Sequence, residues 1–138
     1  MKSKQLVMAL VTLAVVFATA GHAFADCQKR VDLNPTGAGA AINAKADARV
    51  RQVGARQKFT VEMDANVAKG TTFTVSVANA NGQSGTAGTI TIDVLGNGTL
   101  SVDNANGNQL PTGVDPVCTI TRVDVTDSGG NLVLTGSF

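Results

Sequence analysis

Apolar and polar residues alternate along most of the chain with a period of two, and no stretch keeps a helical period. In "AINAKADARVRQ" the even positions Ile42, Ala44, Ala46, Ala48 and Val50 are apolar, while Lys45, Asp47, Arg49 and Arg51 take the other face. In "QKFTVEM" the odd positions Phe59, Val61 and Met63 point one way and Lys58, Thr60 and Glu62 the other. Successive side chains of a strand point to opposite faces, so both segments read as half-buried strands. A hairpin centred on Val53-Gly54 is expected to pair Ala48 with Phe59, Ala46 with Val61 and Ala44 with Met63. Its outer face would then set Lys45 against Glu62, Asp47 against Thr60, Arg49 against Lys58 and Arg51 against Arg56.

"TTFTVSV" adds a strand with Phe73, Val75 and Val77 inward. "GTITIDVLGNGTLSVDN" adds two, with Ile90, Ile92 and Val94 on the face shared by Leu100 and Val102. Keeping them on one face needs an odd loop, here Gly96-Asn97-Gly98, with glycine in the left-handed region. "TRVDVTD" and "NLVLTGSF" change parity between them, which calls for the four-residue loop Asp127-Ser128-Gly129-Gly130. An earlier strand near Arg30–Leu33 ends at Pro35. About seven or eight antiparallel strands predict an all-β fold, an Ig-like or jelly-roll-like β-sandwich, with a closed barrel as the alternative.

The first residues follow a different pattern. Lys2 and Lys4 precede an apolar run from Leu6 to about Ala20, and the stretch closes on Ala23-Phe24-Ala25. This is the order of a secretory signal peptide, with cleavage after Ala25 and a single domain over residues 26–138. The run is shorter than the ~20 residues of a membrane-spanning helix, so no transmembrane segment is expected in the mature chain. Asp26 stands directly before Cys27, where a lipid-anchored chain needs a small residue. The mature protein is therefore expected to be exported, periplasmic or extracellular, soluble and not lipidated.

Removing the leader changes the available chemistry. His22, the single histidine, leaves with it, as do Lys2 and Lys4, so nine Lys and Arg face ten Asp and Glu, net −1. Without histidine there is no Ser-His-Asp or Cys-His arrangement, and the commonest metal ligand is missing. The chain has neither Trp nor Tyr, the usual platforms for stacking sugars and bases. Neither an enzyme, a cofactor or metal site nor a nucleic-acid binder is expected. Phe138 at the end is a feature of outer-membrane barrels, but the outward faces carry Lys, Asp, Arg and Thr instead of an apolar band.

Two cysteines remain, Cys27 and Cys118. An even pair in an exported chain reads as a disulfide, and closing roughly ninety residues is worth about 4–5 kcal/mol by chain entropy. It would tie the N-terminal tail to the approach of the strand near Ile120. The one candidate ligand site is a set of cations, Arg49, Arg51, Arg56 and Lys58, which suits an acidic polysaccharide, a lipid headgroup or a carboxylate patch. The same charges also serve to keep a sheet face or edge from sticking to other strands. "DNANGNQ" and "DSGGN" offer oxygens for calcium but lack EF-hand spacing, and Asn, Asp and Gly are ordinary turn formers.

The strings "ARVRQVGARQKFTVEM", "GTITIDVLGNGTLSVDN" and "NLVLTGSF" resemble short exported bacterial all-β domains of unknown function, over about residues 46–138. "VDLNPTG" is similar to the start of chordin-type secreted domains, whose histidine-containing stretch is absent here. The first resemblance implies export and an all-β fold, and carries over no site residue. Two functions follow as expectations. One is a non-enzymatic envelope protein with a structural, adhesive or assembly role, associating with itself or another envelope protein through edge strands. The other is a small binding module for an anionic ligand.

Overall fold

The computed structural model describes residues 26–138; the expected signal peptide lies outside the described residues. Eight strands follow in order: β1 (Cys27–Pro35), β2 (Lys45–Val53), β3 (Arg56–Asp64), β4 (Thr72–Asn79), β5 (Ser84–Thr91), β6 (Asn97–Asp103), β7 (Ile120–Thr126) and β8 (Leu132–Ser137). A single turn of helix, α1 (Gly37–Ala41), joins β1 to β2, capped where the Gly39 amide donates to Thr36 Oγ1. All pairings are antiparallel, in the order β5-β4-β7-β8-β1-β2-β3-β6. Among the described residues no helix is long and apolar enough to cross a membrane.

β1 makes one sheet out of two halves. From Cys27 to Leu33 it pairs with β2, then Asn34 and Pro35 turn to Thr135 and Leu134 of β8. The outermost strands, β5 and β6, then meet again at the far side. Their turn is closed by the Asp93 amide donating to the Asn97 carbonyl at 2.8 Å, and beyond it they lie together without a ladder. The fold is thus a nearly closed, barrel-like sheet, and the expected two-sheet sandwich is corrected to it. Strand count and parity are the same for both arrangements; only the order of strands separates them.

Glycine permits the close approach at this seam. A Cβ on Gly88 would lie 2.6 Å from Leu100 Cδ1, and one on Gly98 would lie 2.9 Å from the Thr91 carbonyl oxygen. The latter is backbone and cannot swing aside. Gly98→Val is therefore expected to destabilise the protein by about 1–3 kcal/mol through overpacking, read as a fall in the denaturation midpoint.

Inward parity holds through the core. Phe59, Val61, Met63, Phe73, Val75, Val77, Ile90, Ile92, Val123 and Val125 are all buried, and Phe138 is half-buried. The β2–β3 register differs from expectation by two residues: Ala48 faces Val61, Val50 faces Phe59 and Arg51 faces Lys58. Gly54-Ala55, not Val53-Gly54, forms the loop, because the first loop position takes φ +58° and glycine alone enters that region freely. Lys45 consequently faces Asp64, and Glu62 faces Asp47. Ile42 ends α1 instead of opening β2.

Two other expected turns also move. Val94 does not point inward; with Leu95 it stands at the hairpin tip, 78% and 80% exposed. Asp93 Oδ1 accepts hydrogen bonds from the Leu95 and Asn97 amides, which halts the strand and makes Val94-Leu95-Gly96 the three-residue loop. In the β7–β8 turn, Asp127 Oδ1 accepts from the Gly129 and Asn131 amides, so the loop extends through Asn131. A bulge then buries Val133 and Leu134 together.

One end of the barrel is filled by the irregular stretch 104–119, which inserts the fully buried Val114 and Val117. Gln57 of β3 holds it. Its side chain donates to Asp115 Oδ1 at 3.0 Å and accepts from the Val117 amide at 2.8 Å. Gln57→Leu leaves that buried amide without a partner, and a loss of about 2–3 kcal/mol is expected by chemical denaturation.

Cys118 sits in this plug and is bonded to Cys27 at the start of β1, with Cα atoms 5.9 Å apart. The pairing expected from the sequence is present and joins β1 to the approach of β7.

Candidate functional site

Strands β1, β2 and β3 present one continuous outer face, and their registers arrange its side chains in rows across the strands. Gln28, Arg51 and Lys58 form one row; Arg30, Arg49 and Thr60 the next; Asp32, Asp47 and Glu62 the third. Arg56 lies beside the first row, opposite Val53. Neighbours within a row are about 5 Å apart and neighbours along a strand about 7 Å. All four cations expected to act together do share this face, and β1 adds Arg30.

They are not equivalent. Asp47, only 15% exposed, receives two guanidiniums: Arg49 Nε at 2.8 Å and Arg30 Nε at 3.4 Å from the same oxygen, Oδ2. Arg49 also reaches Glu62 at 3.5 Å, and Arg30 reaches Asp32 at 3.7 Å. Arg51, Arg56 and Lys58 make no ion pair among the described residues. Two adjoining depressions run over them, about 780 Å³ bounded by Gln28, Arg30, Arg49, Arg51 and Lys58, and about 440 Å³ bounded by Arg51, Val53, Arg56 and Lys58. They share Arg51 and Lys58, and no carboxylate bounds either, although Asp103 of β6 stands cross-strand from Lys58.

The position of these strands bears on why cations gather there. Both β2 and β3 are paired on each side, β2 by β1 and β3, β3 by β2 and β6. Neither is a sheet edge, so of the two protective roles expected for these charges, face and edge, only that of the face applies here. Opposed like charges such as Arg51 and Lys58 cost a few tenths to about 1 kcal/mol in a sheet. An anion placed between them reverses that sign.

The other sequence candidates are used in turns. Asp103 Oδ1 accepts from the Ala105 amide, and Asp127 is held by Gly129 and Asn131. The Asn131 backbone amide, then its side chain, lower the Asp127 carboxyl below its ordinary range. A carboxylate held low favours the fold above its unfolded pKa, and that contribution disappears as pH falls through the folded value. Carbon-detected NMR is expected to find Asp127 still ionised at a pH where free aspartate is half protonated.

Reasoning from the sequence missed Gln57, Val114 and Val117. The apolar pair inside "GVDPVC" was the available signal. It also missed Arg30, whose place depends on β1 pairing with β2. No protein-family model, curated protein or solved structure matches this chain.

Proposed function

We propose that this chain is a non-enzymatic, exported envelope domain that holds an acidic polysaccharide on the outer face of β1–β2–β3, in an adhesive or structural role. The observation that carries this reading is the trio Arg51, Arg56 and Lys58, without an ion pair among the described residues, along a groove whose lining holds no carboxylate, on strands paired on both sides. A groove crossing strands with a cation about every 5–7 Å suits a polymer with one charge per sugar better than a single small anion. With no aromatic platform, recognition rests on charge and hydrogen bonds, so binding should weaken steeply with salt. Export is supported by the signal-like leader and the disulfide, and a periplasmic or extracellular site suits both.

A non-catalytic role is supported by the lack of histidine after residue 22 and by carboxylates committed to turns and ion pairs. Face binding is favoured over assembly by strand addition because the outermost strands, β5 and β6, lie against each other.

Calorimetry with a polyuronate tests the site. Replacing Arg51, Arg56 and Lys58 by Ser removes three exposed charge contacts of about 0.5–1 kcal/mol each, a loss of affinity of ten-fold or more. Unchanged affinity would remove the site. Parallel titration with anionic vesicles separates a lipid headgroup from a polysaccharide.

A further inference from the structure

On β3 the outward side chains read Arg56, Lys58, Thr60, Glu62, Asp64: two cations, a neutral centre, two carboxylates. All but Thr60 are exposed, and Thr60 is half-buried. Reversed end to end, this row becomes its own charge complement. We propose that the outer face of β1–β2–β3 is a self-complementary docking surface for a second copy of this chain.

An isologous contact places the same patch on both copies about a two-fold axis. For two sheet faces that axis lies in the contact plane, either along the strands or across them. Along the strands, like rows would meet like rows. Across the strands and through Thr60, Arg56 lies over the partner's Asp64 and Lys58 over the partner's Glu62, each twice by symmetry. On β2 the same axis crosses near Arg49, which faces Thr60, and sets Arg51 over the partner's Asp47. On β1 Gln28 comes over the partner's Asp32, and on β2 Val53 comes over the partner's Lys45. The two arginines nearest the axis, Arg30 and Arg49, already share Asp47. Facing sheets stand about 10 Å apart, a gap that arginine and lysine side chains bridge.

The area sets the strength. Strands about 30 Å long and three abreast, roughly 15 Å, offer about 450 Å² a side, near half of what a standard stable interface buries per partner. The dimer is therefore weak, concentration-dependent and salt-labile. The surface includes the cations of the polysaccharide groove, so the two occupants compete, but the dimer does not require that ligand.

Charge swapping tests it by sedimentation equilibrium on the oxidised, exported protein. Arg56→Glu with Lys58→Glu makes the β3 row wholly acidic, and Glu62→Lys with Asp64→Lys makes it wholly basic. Wild type is expected to dimerise at low salt and dissociate at molar salt, where the screening length falls to about 3 Å. Each swapped variant alone should associate at least ten-fold more weakly, and an equimolar mixture should recover association. A wild type that stays monomeric at low salt, or a mixture that does not recover, overturns the proposal; circular dichroism of each variant excludes misfolding. The basic variant should still bind polyuronate while losing self-association, so failure of this surface and failure of the ligand site read differently.

Discussion

Replacing Cys27 and Cys118 by serine is expected to lower stability by about 4–5 kcal/mol. The bond spans 91 residues, nearly the whole domain, so its loss releases a long loop in the unfolded chain. Within the fold it joins the first strand to the plug that fills one barrel end. β1 pairs with β8 only at Asn34 and Pro35, so its first seven residues depend on β2 and on this bond. For a domain of this size the loss corresponds to a fall in Tm of roughly 15 °C or more. Thermal denaturation of the double variant beside oxidised wild type is the measurement. An unchanged Tm would mean that the bond constrains little.

Phe59→Ala is expected to cost about 3–5 kcal/mol. Phe59 is wholly buried at the middle of β3, between Val50 of β2 and Val102 of β6. Removing the ring loses its transfer free energy and leaves a cavity that neighbours cannot fill, since they are pinned by ladders on both sides. Stability of such domains is commonly about 5–15 kcal/mol, so this variant combined with cysteine loss is expected to lose a large share of it, about 7–10 kcal/mol. Phe59→Leu keeps much of the volume and should cost clearly less. Urea midpoints of the three proteins check the ranking.

Parity was legible in the sequence and register was not, for one reason. Moving Arg51 from Arg56 to Lys58 leaves every side chain on the same face, so hydrophobic alternation cannot tell the two pairings apart. The turn decides, through the positive φ that only Gly54 accepts readily there. Val94 was misread because it continues the even apolar positions, while the Asp93 side chain ends the strand by bonding two amides. Sandwich against barrel depends on which distant strands meet, and no local pattern records that Pro35 faces Leu134.

The candidate site shows the same division. That Arg49, Arg51, Arg56 and Lys58 share a face follows from alternation within each strand. Which of them is engaged depends on neighbouring carboxylates: Asp47 and Glu62 occupy Arg49, while Arg51, Arg56 and Lys58 make no ion pair among the described residues. The cysteine pair could be read directly, because the sequence holds two thiols, and two thiols leave one pairing.

Amide NMR during titration with polyuronate tests the central claim, that this sheet face holds the ligand. The expected result is a contiguous set of shifts at Gln28–Arg30, Arg49–Val53 and Arg56–Thr60, fading with added salt. Shifts confined to the threonine-bearing outer face of β4 and β5, or none at all, would contradict it.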